Sequence, residues 1–295
     1  MYDIIGDIHG RAALLQQMLE KLAYTKHSGV YQHTERKAIF LGDFINKGPH
    51  TKEVLQIVRP MVEQGYAYAV VGNHELNLIG YFQKHDEGEY IRPHTEKNTD
   101  QHVPTFQSFT GEQPLLHHYI DWMKTLPLYL EIDGIRLAHA YWHQESIDFL
   151  QQNYERVSLH DALLRNMTPG SPTAKAVDEL LVGLKLKLPT AGGDIPFKTK
   201  WWHVGLSHAY QSLAIRPDTS LGNPHISYGR EEVNTYTYPK EAPPFFFGHY
   251  NLPGKPRLLA DNYSCLDYNL EEQPLLVGYR WQGEQRLQEA HLLYC

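Results

Sequence analysis

Seven side chains in this sequence have the types and settings for metal and proton chemistry: Asp7, His9, Asp43, Asn73, His74, His139 and His249. Asp7 and His9 sit in Gly6-Asp7-Ile8-His9-Gly10, and Asn73 and His74 in Gly72-Asn73-His74-Glu75. Between them, Asp43 lies in Leu41-Gly42-Asp43-Phe44-Ile45-Asn46-Lys47-Gly48-Pro49. Carboxylate, imidazole and amide oxygen make a mixed donor set that Mn²⁺, Fe²⁺ and Zn²⁺ accept, and the lack of cysteine in it is unlike a structural zinc site. Singly, each motif is weak. Asp-x-His is commonplace as a turn or capping pair, and His139 and His249, each after an apolar run, could be satisfied core histidines. Their ordered occurrence at the ends of strand-like runs, three of them led by glycine near the start of the chain, is what points to one site.

Such residues need strand ends to hold them. Residues 2–5, 37–41 and 66–71 read as buried strands. They alternate with a helix over 11–24, striped by Leu14, Leu15, Met18, Leu19 and Leu22, and a helix over 51–64, striped by Val54, Leu55, Ile57, Val58, Met61 and Val62. This alternation predicts parallel α/β layers with functional side chains at the carboxyl ends of the strands. Residues 81–113 lose the pattern, and at that length predict a functional loop or part of a cap. A helix is expected over 115–126, and a hairpin over 128–139 around Asp133-Gly134. From residue 144 the alternation stops. Ser171-Pro172 starts a helix, residues 185–189 read as a strand, Ala191-Gly192-Gly193 as a turn, and 195–202 as the returning strand. Residues 244–250, 263–268 and 274–281 then suit a second, more antiparallel sheet. The expectation is one domain over 1–295, with a core of about 1–80, 128–143 and 244–295 and a cap of about 81–127 and 144–243.

The 295 residues suffice for one large core with an insertion. A net charge of −7 argues against a general nucleic-acid binder. Two cysteines form no disulfide framework, the first residues show no basic-then-apolar leader, and no apolar run reaches bilayer length. The expected compartment is the cytoplasm, with no membrane partner.

Together the three early blocks resemble those of the calcineurin-like metallophosphoesterases, in the branch of phosphoprotein phosphatases and bacterial symmetrical diadenosine tetraphosphatases. His139-Ala140 and Gly248-His249 fit that family's fourth and fifth blocks. The resemblance implies a two-sheet β-sandwich flanked by helices, α/β in class, with a dinuclear site at one rim. Asp7 and His9 would bind the first ion, Asp43 would bridge both, and Asn73, His139 and His249 would complete the second. Mn²⁺ is the expected ion, with Fe²⁺ and Zn²⁺ as alternatives. Such ions, about 3.5–4 Å apart, activate a hydroxide for in-line attack on phosphorus, with His74 as general acid and Lys47 and Asn73 on the phosphate.

Family members usually carry Asp-Arg where this chain has Asn46-Lys47. Lysine keeps the charge but loses the bidentate fork, and Asn46 offers His74 an amide oxygen without a negative charge. Good leaving groups, phosphoanhydrides or aryl phosphates, are therefore expected to react better than alkyl phosphates. Lys198-Thr199-Lys200-Trp201-Trp202 offers a second phosphate clamp, with Lys198 and Lys200 on one strand face and Trp202 in phase; a solvated hairpin over core tryptophans is the bland alternative. Arg92 and His94 are further phosphate candidates. The leading function is a phosphomonoesterase acting on a phosphorylated small molecule, nucleotide or phosphoprotein. Symmetrical dinucleoside tetraphosphate hydrolysis and weakly active phosphate binding are the alternatives.

Overall fold

The computed structural model describes residues 1–190, 192–270 and 273–295. The expected turn at 191–193 begins at Ala191, which lies outside them. Among the described residues, seven strands make the first sheet, in the order Leu252–Pro253, Asp267–Leu270, Gln273–Trp281, Tyr2–Ile5, Lys37–Phe40 and Ala67–Ala69, with Leu292–Tyr294 also paired to Gln273–Trp281. Tyr2–Ile5, Lys37–Phe40 and Ala67–Ala69 are parallel. Residues 2–5 are buried on both faces, which is why they show no apolar–polar alternation, and the one charged member, Asp3, is paired with Arg36 and Arg280.

The second sheet runs Tyr263–Cys265, Phe245–Phe247, Ile135–Ala138 and Tyr129–Ile132. Its first three strands are parallel and only the last pairing is antiparallel. The more antiparallel second sheet expected from sequence is thus corrected. Gln273–Trp281 joins the first sheet instead, antiparallel to Tyr2–Ile5. Strand patterning reports burial, not which sheet a strand joins, and here the chain changes sheets at one residue. Leu266 donates its N–H to the Phe247 carbonyl oxygen at 2.7 Å in the second sheet, and the next residue opens a strand of the first. Gly6 admits this crossing, because a Cβ there would lie 2.0 Å from the Leu266 oxygen. Phe246 and Tyr279, both fully buried, meet at 4.9 Å between the sheets.

Helix Ala12–Lys21 packs on Gln273–Trp281, and Thr51–Glu63 on Ala67–Ala69. Two of the helices that were not expected bear on the site. Asn73–Phe82 starts at the candidate residues themselves. Glu96–Ser108 lies in the stretch read as a loop and packs on both Thr51–Glu63 and Asn73–Phe82. It buries only His102 and Thr105 and contains Pro104, so no apolar stripe announces it. Helix Gln113–Met123 follows.

Farther along, Ser171 caps helix Pro172–Val182 by accepting the Ala174 N–H at 3.1 Å. Lys185–Leu188 and Ile195–Lys198 pair as the expected hairpin. The returning strand stops at Lys198, however, and Trp201–His203 is a 3₁₀ turn, so Lys198, Lys200 and Trp202 do not share a strand face. Trp201 is fully buried, its ring centroid 5.0 Å from that of Phe247 and 5.1 Å from that of Tyr263. That contact fastens this segment to the second sheet. No helix among the described residues is long and apolar enough to cross a membrane.

Candidate metal centre

Asp7, Asp43 and Asn73 follow the parallel strands of the first sheet, and His139 and His249 those of the second. The turns that carry them are strained. Five of the nine non-glycine residues recorded with positive φ are His9, Asp43, Asn46, Lys47 and His249, at +50° to +71°, a conformation costing about 1–3 kcal/mol each. The buried Glu75 offsets part of that cost. Its carboxylate accepts the backbone N–H groups of Asp43 (2.8 Å), Phe44 (2.9 Å), Ile45 (3.4 Å) and Gly72 (2.9 Å). Burial and the charge of Asp43 push its pKa up to about 7, against the pull of those N–H groups. Donors on both of its oxygens leave no place for a carboxyl proton, so Glu75 belongs to the ionised form.

Asp43 faces two ways. Its Oδ2 lies 3.5 Å from His9 Nε2 and its Oδ1 3.3 Å from His139 Nε2. Asp7 Oδ2 is 3.8 Å from His9 Nε2, and Asn73 Oδ1 lies 3.0 Å from His139 Nε2 and 2.6 Å from His249 Nδ1. Gly248 is required beside Asp7, since a Cβ there would stand 1.9 Å from Asp7 Oδ1. Among the described residues, His9, Asp43 and His74 form one group able to hold a metal ion and Asp7, Asp43 and His139 another, each with ligand atoms within 4.8 Å of one another. Asp43 belongs to both, and the pair suggests a dinuclear site.

The donors fit two divalent cations. His139 donates Nδ1–H to the Leu41 oxygen at 2.7 Å, and His9 donates Nδ1–H to the Ile45 oxygen at 3.2 Å. Both Nε2 atoms are thereby aimed at carboxylates. Among the described residues no lysine or arginine nitrogen lies within 4.0 Å of the Asp7 or Asp43 carboxylate. Burial, then Asp267, pushes the Asp7 pKa well up. Burial alone would lower His139, but Asp43 and Asp7 push it up to about 10. The geometry thus demands positive charge between imidazole and carboxylate, which a divalent ion supplies in place of that proton.

His74 sits in front of Asp43, its Nε2 3.8 Å from Asp43 Oδ2. Burial lowers its pKa to about 4, with Asp43 opposing. Behind it, Asn46 is fully buried and meets His74 Nδ1 through its amide nitrogen at 2.9 Å. The oxygen expected to serve His74 is taken instead by the Thr105 hydroxyl (2.7 Å) and faces His102 Nδ1 (3.3 Å). Gln101 brings a second amide nitrogen to Nδ1 at 3.2 Å.

A cavity of about 710 Å³ opens over these residues. Lys47 Nζ donates to His9 Nε2 at 2.6 Å, and Lys198 Nζ to His249 Nε2 at 2.9 Å. The hairpin strand supplies Phe197, which meets Tyr210 edge-on at 5.1 Å, and the next segment adds Ile215 and Arg216. Arg11 and Asp267 line the cavity from the core side. Other candidates lie elsewhere. Lys200 does not line the cavity, because the strand has already ended. Arg92 donates to Asn77 Oδ1 at 2.8 Å, and His94 is stacked between Tyr81 and Tyr90. Sequence reasoning missed Arg11, Gln101, Thr105, Arg216 and Asp267. Arg11 alone had a signal, standing directly after Gly10.

A family model described as calcineurin-like phosphoesterase matches residues 2–195. An Oceanobacillus iheyensis protein described as an asymmetrical bis(5'-nucleosyl)-tetraphosphatase PrpE is 33% identical over 143 residues, which cover 47% of this chain and 55% of that one. A Halalkalibacterium halodurans protein of the same description is 41% identical over 185 residues, covering 59% and 71%. The match thus spans little more than half the length of the first relative. A serine/threonine phosphatase structure from Saccharomyces cerevisiae superposes with a TM-score of 0.52 at 12% identity, covering 99% of this chain and 78% of that one, a likeness of fold alone. The expected placement beside symmetrical diadenosine tetraphosphatases is overturned by these relatives, which are described as asymmetrical. The shared blocks supply metal and phosphate chemistry and say nothing about which anhydride is cut.

Proposed function

Because the chain belongs to the calcineurin-like phosphoesterase family and carries that family's kind of metal-binding site, we propose that this metal-dependent phosphoesterase cuts a phosphoanhydride of a nucleoside polyphosphate into unequal products. In this reading Asp7 and His9 hold one ion, Asp43 both, and Asn73, His139 and His249 the other, with residues 81–127 and 144–243 capping the core. Two divalent ions held there, Mn²⁺ the expected one, would lower the pKa of a water and neutralise charge on the phosphoryl oxygens.

The observation that carries the proposal is the pair of amide nitrogens behind His74. Among the described residues no carboxylate stands there to support a proton on Nδ1, so His74 offers the leaving oxygen a hydrogen bond from Nε2 rather than a ready proton. A phosphate leaving group needs no more than that, whereas an alkoxide does. The cavity supports the same choice. Lys47 and Asn73 take the reacting phosphate, Lys198 and Arg216 the phosphates beyond it, and Phe197 and Tyr210 give a ring something to pack against. The names of the relatives add the unequal cut.

The test is a panel with added Mn²⁺: diadenosine tetraphosphate, p-nitrophenyl phosphate, a phosphopeptide and an alkyl phosphate, with products separated by chromatography and bound metal counted. Nucleoside mono- and triphosphate as the main products, formed faster than any monoester is cleaved, is the expected result. Two equal diphosphates, or a phosphopeptide cleaved fastest, would overturn the substrate assignment. Two ions bound with no turnover on any substrate would favour the phosphate-binding alternative.

A further inference from the structure

Two lines of hydrogen bonds, the first with its direction forced by a guanidinium and the second with one direction favoured by the shorter contact, end on Nδ1 of His74. The first starts at Arg92. Its Nε–H donates to Asn77 Oδ1 at 2.8 Å, Asn77 Nδ2 donates to Gln101 Oε1 at 3.3 Å, and Gln101 Nε2 reaches His74 Nδ1 at 3.2 Å. A guanidinium has donors only, so Asn77 must turn its oxygen to Arg92, and every amide after it is oriented in consequence. The second line starts at the backbone of Asn46. Its N–H donates to Thr105 Oγ1 at 3.1 Å, which leaves that hydroxyl to donate to Asn46 Oδ1 at 2.7 Å. The longer alternative, Thr51 Oγ1, is 3.3 Å away. Asn46 Nδ2 is then aimed at His74 Nδ1 at 2.9 Å.

We propose that Arg92 and Thr105 are positioning residues which, through Asn77–Gln101 and through Asn46, keep Nδ1 of His74 bare and place the ring proton on Nε2, facing the substrate. A proton on Nδ1 would point at two amide N–H groups, and buried donors set against each other are costly. Arg92, one of the further phosphate candidates in the sequence, therefore acts at one end of a relay and does not line the cavity. Its Nη2 also lies 3.5 Å from Asp178 of helix Pro172–Val182, so the relay begins where the two stretches of the cap meet.

The test uses the full chain labelled with ¹⁵N-histidine, metal-free and Zn²⁺-loaded, near neutral pH. Two-bond ¹H–¹⁵N correlations distinguish a ring protonated at Nε2 from one protonated at Nδ1, and circular dichroism melts confirm that each variant is folded. Wild type is expected to show Nε2–H for His74. Gln101→Glu, which puts an acceptor where the donor stood, should move the proton to Nδ1. In an Asn46→Gly background, where the second line is missing, Arg92→Met should produce a mixture of tautomers while Arg92→Lys, still a pure donor, should not. Nδ1–H in the wild type overturns the proposal, as do identical spectra for Asn46→Gly with and without Arg92→Met.

A kinetic arm rests on the phosphoesterase reading above. Gln101→Glu, by taking the proton off Nε2, should lower kcat on an alkyl relative to an aryl phosphomonoester about tenfold, less than the roughly 10²- to 10⁴-fold that full proton transfer contributes. An unchanged ratio overturns the link from relay to leaving group. If no variant turns over any phosphoester, the phosphoesterase reading has failed, and the ring spectra still decide the relay.

Discussion

Asp7, His9 and Asp43, at the front of the site, are placed by backbone: strand ends, left-handed turns and a buried Glu75 that gathers four N–H groups. Asn46, Gln101 and Thr105, behind His74, are placed by side chains from a turn and a polar helix that no apolar pattern marks. The front fixes where charge sits. The back fixes only which way hydrogen bonds run. Changes at the front should therefore cost metal and turnover together, whereas changes at the back or in the cap should alter selectivity with the metals still bound.

That contrast can be broken by measurement, starting at the front. Asp43→Asn should lower kcat about a thousandfold, equivalent to about 4 kcal/mol, and reduce bound metal in the same sample. Full metal occupancy with that loss would detach Asp43 from the ions. Gly248→Ala should cost about a hundredfold, the scale of a misplaced catalytic group, because the new Cβ must displace Asp7, and metal analysis should show the deficit. Glu75→Gln turns an NH₂ group toward backbone donors. In urea melts of metal-free protein it should lose about 2 kcal/mol, and unchanged stability would mean that the turn holds itself. The smallest effect is expected at the cap. Arg216→Ala should raise KM for diadenosine tetraphosphate about tenfold, or about 1.4 kcal/mol, without loss of bound metal. A fall in metal content there would erase the distinction between front and cap.

The two regions also differ in how far they can be read from sequence. Asp7, His9, Asp43, Asn73 and His74 stand in short glycine-led turns after apolar runs, so local pattern and position find them. Asn46 is equally visible, but the direction of its amide is decided by Thr105, 59 residues away. The helix holding Thr105 buries one histidine and one threonine and contains a proline, so it reads as a loop. The hairpin that carries Lys198 is legible from alternation, and its early end is not, because Thr199 also bridges to Ala214 and Lys200 donates its N–H to the Leu213 carbonyl oxygen at 2.7 Å, away from the hairpin. The strand Gln273–Trp281 shows the same limit for the fold: its burial is written in its residues, its sheet is not. The mode of cleavage lies further still from the motifs, which the relatives described as asymmetrical make plain.

The crossing at Leu266 has a mechanical meaning. One set of site residues is anchored on the first sheet and the other on the second, so any sliding of one sheet past the other would change the spacing across the site. Leu266 rivets the two layers near the rim, one backbone bond reaching Phe247 and its carbonyl pressed against Gly6, directly before Asp7. The gauge of the site is thus held in part by a residue that is no ligand, and a bulge or an inserted residue there would detune it without touching one.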